Sequence, residues 1–485
     1  MRDHGRMHDD RIHKKPDAES APPEASRNRR VPTTGVVLGD GTLLELVYDE
    51  PSNTTRLVCA DRGGSCSLAD SAPHPDGRRY VPYSPNNNLI RHRAVLLPSA
   101  PAEYDTVEAL YEEVVAYLHR YIDLSPDFED VAACYVLLTW VHDGFNELPY
   151  LRVRGDYGSG KTRFLLVVGS VCYKPFFASG ASTVSPIFHT LDAFGGTLVL
   201  DEADFRFSDE RAEVVKVLNN GNVRGIPVLR TEMTPRQEFN PRAFSVFGPK
   251  VVASRGEYQD RALESRFLTE RMGGRHPRAD IPINLPDAQA AEALALRNKL
   301  LLFRIRMRTR YSVDSTPSTA DLEPRMQQIV RPLLAVAPHG PAQAAIANAA
   351  RALQSDLVGD RTEAVEADVL AVIRDLLETD AAGGIAIRDI VKRYRERADQ
   401  PRPELITPRW IGTIVRKRLG LATRKSHGVY RLDPTELAKI GYLCERYGLA
   451  IQPRQPSSKG GDLGDFGDVE KVSAPSFPND TPPMR

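Results

Sequence analysis

Positions 155 to 162 read Gly155-Asp156-Tyr157-Gly158-Ser159-Gly160-Lys161-Thr162, a match to GxxxxGK[ST]. The chemistry this spacing serves is triphosphate binding. Gly155, Gly158 and Gly160, with Ser159 among them, let backbone N–H groups turn inward around phosphate oxygens. A helix beginning where the loop ends adds its N-terminal dipole. Lys161 then reaches the β- and γ-phosphates, and Thr162 offers a hydroxyl to Mg²⁺. Further on, the apolar run Thr197-Leu198-Val199-Leu200 ends in Asp201-Glu202. At the end of a parallel strand Asp201 faces the crevice where Mg²⁺ sits, and Glu202 is placed to polarise an attacking water. The combination points to hydrolysis of ATP with Mg²⁺, rather than transfer to a second substrate. A third apolar run, Lys250-Val251-Val252-Ala253, ends at Ser254. That hydroxyl either bonds the γ-phosphate or its water, or caps the strand end. Arg266, in Asp260-Arg261-Ala262-Leu263-Glu264-Ser265-Arg266-Phe267, either stabilises transition-state charge in a neighbour's site or makes a surface ion pair.

The elements that must position these residues follow from the pattern. Residues 150–270 alternate short apolar runs with helical segments, which predicts an α/β parallel sheet. With its flanking helices (Tyr104 onward), the P-loop ATPase core spans 101–280. A helical lid follows over 281–355, where Ala and Leu dominate. Residues 33–100 carry β-type runs at Gly35–Leu38, Leu43–Tyr48 and Thr55–Cys59, a small β-rich module. Residues 1–32 and 453–485 read as disordered tails.

Two features point to DNA. Between the acidic pair and Ser254 lie β-type runs at Gly225–Thr231 and Glu238–Phe247, joined around Pro235. They form either a hairpin projecting into a pore, with Arg236 at its tip on a nucleic-acid backbone, or an ordinary surface hairpin. The second feature is residues 364–435, whose three helices and a hairpin predict a winged helix. Thr407-Pro408 starts the third helix, which buries Ile411, Ile414, Val415 and Leu419 and leaves Arg409, Arg416 and Lys417 facing out. Arg424 and Lys425 lie in the wing. From Arg388 to Arg431 there are 13 Lys and Arg against 4 Asp and Glu, in a chain with 64 of each sign overall. Such a concentration is either a solvated face or a DNA-binding surface, and its place on the third helix and wing favours DNA.

The order of these parts resembles the AAA+ superfamily. Ser265-Arg266-Phe267 is similar to the arginine-finger motif of minichromosome-maintenance helicases and clamp loaders. The stretch from Asn219-Asn220-Gly221-Asn222-Val223-Arg224-Gly225 through Val228-Leu229-Arg230 to Phe244-Ser245-Val246-Phe247-Gly248-Pro249-Lys250 resembles uncharacterised ATPase domains fused to primases in phages and plasmids. Arg325, with Arg331-Pro332-Leu333-Leu334, resembles the lid of that family, which implies a nucleotide contact for Arg325. The likeness covers about 140–340. It implies a helicase-like motor or replication initiator of a mobile element, assembled as a ring, with a hexamer among the ring sizes. Primase and other replication proteins are the partners it implies. An ATP-switched regulator, a loader or a defence ATPase is the alternative.

Composition sets the remaining bounds. No run of 18 apolar residues exists, so no membrane helix is expected. The first residues lack the apolar segment of a secretory signal. Cys59, Cys66, Cys134, Cys172 and Cys444 are scattered, which predicts reduced thiols in a cytoplasmic protein and no zinc site.

Overall fold

The structure is a computed structural model. It describes residues 30–180, 182–201, 209–233, 239–258, 260–274, 276–362, 365–379, 385–397, 406–426 and 428–449. The chain divides into two compact units, Met1–Val358 and Gly359–Arg485.

In the first unit, the initial strands are β1 (Arg30–Thr33), β2 (Gly35–Val37), β3 (Leu43–Asp49), β4 (Thr54–Ala60), β5 (Cys66–Ala69), β6 (Ala72–Pro73) and β7 (Arg79–Pro82). They form a four-stranded sheet β2-β3-β4-β5 and a three-stranded sheet β1-β7-β6. Arg30–Pro32, expected within a disordered tail, instead belong to β1, which pairs in parallel with β7. Strands β3 and β4 are apolar on both faces. Leu46 and Leu57 join one core and Val47 and Val58 another, and both cores include residues of the central sheet. The strands therefore pack as part of the unit's interior.

A short helix α1 (Asn88–Arg91) precedes an extended link, Ala94–Leu96. α2 (Val107–Tyr121) starts where Thr106 Oγ1 accepts from Ala109 N at 3.1 Å. Its Leu110, Val114, Tyr117, Leu118 and Tyr121 recur at helical spacing and are buried. α3 (Pro126–Val141) is apolar all round from Val131 onward, and every residue of that stretch is buried.

The central sheet is built from β8 (Tyr150–Arg154), β9 (Phe176–Ala178), β10 (Leu198–Leu200), β13 (Lys250–Ser254) and β14 (Phe267–Arg271), in spatial order β14-β8-β13-β10-β9, all parallel. Between β10 and β13 the chain makes an antiparallel pair, β11 (Val228–Met233) and β12 (Phe239–Phe244). The helices woven through it are α4 (Lys161–Val171), α5 (Val184–Phe194), α6 (Asp209–Asn220) and α7 (Arg261–Glu264). Buried strands of a parallel sheet read as short continuous apolar runs, and β8, β10 and β13 do. The outer edge of β9 is covered by the link. Val95 bridges Phe176, Phe177 N donates to Ala94 O at 3.2 Å, and Leu96 N donates to Pro175 O at 3.2 Å.

α8 (Asp287–Met307), α9 (Pro324–Val336) and α10 (Gly340–Thr362) follow. α8 ties the first unit together through buried cations. Arg304 Nε donates to Glu45 Oε1 at 2.7 Å, and its Nη1 and Nη2 hold Asp143 at 2.7 and 3.0 Å. Lys174 Nζ lies 2.8 Å from Glu45 Oε2.

The second unit holds α11 (Val365–Thr379), α12 (Ile387–Arg397) and α13 (Pro408–Thr413), which winds on through Ile414–Arg418 in a wider turn. An antiparallel pair, β15 (Thr423–Ser426) and β16 (Val429–Leu432), and α14 (Leu437–Arg446) complete it. Thr407 Oγ1 accepts from Trp410 N at 3.2 Å and caps α13. Val369, Ile373, Ile390, Ile411, Val415 and Leu432 share one core. Among the described residues, no helix is long and apolar enough to cross a membrane.

Candidate nucleotide site

Strand β8 runs between β14 and the central strand β13, so the loop that leaves it opens on the sheet's C-terminal edge beside the end of β13. Its first residue must be glycine for reasons of space. A Cβ at Gly155 would lie 2.6 Å from the Met272 carbonyl oxygen and 2.7 Å from Ser159 Oγ. Gly158 and Gly160 must be glycine for reasons of conformation, at φ 72° and 93°. Helix α4 then begins at Lys161. Lys161 Nζ donates to the carbonyls of Gly155 at 2.6 Å and Asp156 at 2.7 Å, so the ammonium lies over the loop. Ser159 Oγ donates to Asp156 O at 2.8 Å.

β10 lies two strands from β8, with β13 between them. Asp201 follows β10 and its N–H donates to Ala178 O at 3.0 Å, which fixes where the carboxylate emerges. Thr162 Oγ1 donates to Asp201 Oδ2 at 3.0 Å. These are two hard oxygen ligands of the kind Mg²⁺ takes beside phosphate oxygens, and their separation suits a shared ion. Ser254, buried at the end of β13, closes the site from the intervening strand. Its carbonyl accepts from Gly155 N at 3.3 Å, and its hydroxyl donates to Gly256 O at 3.0 Å, as a strand-end cap does. Gly160, Lys161, Thr162, Asp201, Ser254 and Arg255 line a cavity of about 330 Å³. Arg255 escaped sequence reasoning. Its guanidinium stacks 4.1 Å from the Tyr157 ring centroid, and its only sequence signal was its place after Ser254.

A larger cleft of about 960 Å³ flanks the same loop on its other side, between Ile122, Asp123, Met272, Arg278 and Ile283. Arg163 donates to the carbonyls of Pro282 and Ile283 and holds this wall in place. The wall, too, was not anticipated. It comes from a Gly- and Pro-containing segment without periodicity.

Arg266 and Arg325 are not brought to this loop. Phe267 pairs with Tyr150 and Arg271 with Arg154, so Arg266 lies at the opposite end of β14, about 16 Å along the strand from the phosphate loop. Arg325 shares that far end. Its Nε donates to Ser265 Oγ at 2.7 Å and its Nη2 to Ala262 O at 3.3 Å. The helix carrying Arg325, for which the resemblance implies a nucleotide contact, docks on the turn before Arg266 and not on the chain's own glycine loop. Glu202 and Arg236 lie outside the described residues. The strands that would carry Arg236 do pair, from Val228↔Phe244 to Met233↔Phe239.

In the second unit Arg409, Arg416, Lys417, Arg424 and Lys425 are all exposed. Arg416 lies 5.6 Å from the Tyr430 ring centroid. Arg418 instead pairs with Glu366 at 2.9 Å.

No family model and no curated protein matches the chain. Among solved structures it is similar to the apo C-terminal region of NrS-1, at 10% identity and a TM-score of 0.31, covering 80% of this chain and 96% of that one. It is also similar to JCV helicase (15% identity, TM-score 0.23, 50% of this chain and 66% of that one). A third likeness is to Drosophila ORC bound to DNA, at 12% identity and a TM-score of 0.18, covering 72% and 96%.

Proposed function

We propose that this chain is a Mg²⁺-dependent ATPase of AAA+ type that acts on DNA as an oligomer: a helicase-like motor or replication initiator of a mobile element. The observation that carries the reading is the joining of Thr162 to Asp201 beneath a glycine loop whose lysine lies over it. Thr162 and Asp201 would hold Mg²⁺, which when bound offsets charge on the phosphate oxygens. Lys161 would leave the loop carbonyls for the β/γ-phosphates, and Gly155–Gly160 would wrap them with N–H groups. Glu202, next to Asp201, takes the proton of the attacking water. The water oxygen bonds to the γ-phosphorus, the bond to the bridging oxygen breaks, and ADP and phosphate leave. The wide cleft at Met272 and Ile283 suits the nucleoside.

The position of Arg266 supports an oligomer. A finger about 16 Å from its own phosphate loop serves only a neighbour's. The exposed cations of α13 and β15 support a winged-helix contact with DNA, and a cytoplasmic place follows from that target. Residues 30–100 would act as a fixed part of the motor. The deciding measurement is ATP turnover with and without DNA, alongside strand separation. Turnover that depends on Mg²⁺ and rises with DNA, together with unwinding, is the expected result. Stimulation without unwinding favours a loader, and turnover indifferent to DNA refutes the motor.

A further inference from the structure

The turn that carries Arg266 is held from three sides. Arg152, buried in the middle of β8, clamps Glu264 with two hydrogen bonds. Arg325 donates to Ser265. Arg266 itself is held by two amides: its Nε donates to Asn222 Oδ1 at 3.0 Å and its Nη1 to Asn219 Oδ1. The orientation of Asn219 is set from behind, because its Nδ2 donates to Asp260 Oδ2 at 2.9 Å. Asn222 is 4% exposed, and its carbonyl accepts from Leu148 N at 2.9 Å.

The choice of amide matters chemically. A carboxylate at either place would orient the guanidinium equally well and cancel its charge. Among the described residues no carboxylate is in ion-pair contact with Arg266. Burial, and then the nearby Arg325 guanidinium, pull its pKa below the ordinary arginine value, against a smaller opposite pull from Tyr150 and from the Asp260 carboxylate that lies beyond Asn219. A cation aimed by neutral acceptors stays available to an anion from outside.

The Asn219–Asn222 turn is also bonded to the chain's own site. Gly221 O accepts from Gly248 N at 3.1 Å and from Lys250 Nζ at 3.3 Å. Lys250 is fully buried and donates further to Val246 O at 2.9 Å and Gly248 O at 2.8 Å. A Cβ at Gly221 would lie 2.5 Å from Lys250 Nζ. Lys250 opens β13, and Ser254 at its other end lines the phosphate cavity.

We propose that Asn219 and Asn222 are positioning residues for Arg266, aiming a guanidinium whose direct partners are neutral amides at a neighbour's γ-phosphate, with Lys250 locking their turn to the strand that ends in the chain's own site. This deepens the oligomeric ATPase reading and rests on it.

The test is Asn222→Asp, close in shape to the parent side chain. Its kcat should fall roughly 10²-fold, because the new carboxylate cancels the charge that the finger would offer, with ATP affinity within about two-fold of the parent. A merely structural role would not move the second readout, subunit mixing. Asn222→Asp subunits keep an intact phosphate site, and Asp201→Asn subunits keep an intact finger. Mixed assemblies should therefore exceed the summed activity of the two separate proteins. Arg266→Ala mixed with Asp201→Asn is the reference. If the reference gains activity while Asn222→Asp keeps parental kcat, or loses it without gain on mixing, the positioning role is overturned and the ATPase reading stands. If the reference shows no gain although the subunits are shown to exchange, the finger acting across subunits and the positioning role both fall, and turnover by the parent protein still decides the ATPase reading. Should Asn222→Asp not fold, Asn219→Ala at the half-buried partner must show the same loss and the same gain on mixing, or the proposal is refuted.

Discussion

Glu45 offers the sharpest test of how the first unit is held together. Its carboxylate accepts from Arg304 Nε at 2.7 Å and from Tyr173 Oη at 2.8 Å, and lies 2.8 Å from Lys174 Nζ. Glu45 and Lys174 are each 2% exposed and Arg304 is 4% exposed. Glu45→Gln keeps the shape, removes the charge and turns an NH₂ toward two cations. Breaking a buried pair from one side costs about 3–5 kcal/mol, here because Lys174 loses its paired carboxylate while Arg304 keeps Asp143. Set against a total stability of about 5–15 kcal/mol, that is a large fraction. Adding Lys174→Met removes one stranded cation and should restore roughly 1–3 kcal/mol. Urea unfolding in a Trp410→Phe background isolates Trp140, which is buried 5.3 Å from the Tyr173 ring. A loss under about 1 kcal/mol, or a double variant no better than the single one, would refute the reasoning. The pH dependence has a definite sign. Burial pushes the Glu45 carboxyl up, but Lys174 and Arg304 outweigh it and hold it below the ordinary 4.5. Its contribution is complete above that value and is lost as pH falls through the depressed one, so the parent protein should weaken below about pH 4.5 more steeply than Glu45→Gln.

Three further outcomes are expected. Lys161→Ala should lose ATP binding or hydrolysis, whereas Glu202→Gln should bind ATP and not turn it over. Equal loss of binding in both, by calorimetry, would contradict the assigned roles. Neutralising Arg416 and Lys417 together should flatten the log–log salt dependence of DNA affinity by about 0.9 for each phosphate no longer neutralised, and an unchanged slope would move the DNA-binding surface elsewhere. Arg236→Ala should keep basal ATPase activity and reduce unwinding per ATP consumed; the same ratio as the parent in a protein that unwinds would make the β11–β12 pair ordinary surface structure.

What could be read from sequence was what is encoded locally. The glycines of the phosphate loop, the start of α4 and the short apolar runs of β8, β10 and β13 depend on neighbours within a few positions. Thr407 as the cap of α13 is local in the same sense. The rest depends on partners far along the chain. Arg152 interrupts a core strand and makes sense only with Glu264, 112 positions away. Lys250 looks like the solvated start of a strand, yet three carbonyls and burial enclose it. β5 to β7 were missed because Ser, Pro and Asp crowd them. Arg325 was given to the nucleotide by likeness, and no local signal says on which end of the sheet its helix docks.

The link Ala94–Leu96 has a consequence for anyone trimming the chain. It occupies the open side of β9, where the Phe177 N–H and the Pro175 carbonyl would otherwise be left bare. Such an edge is a template for strand addition between molecules. A protein cut to begin near residue 101 would lose this cover, and the particles it forms would join edge to edge. Their size would report an artefact of truncation, so subunit number should be counted on chains that keep residues 30–100.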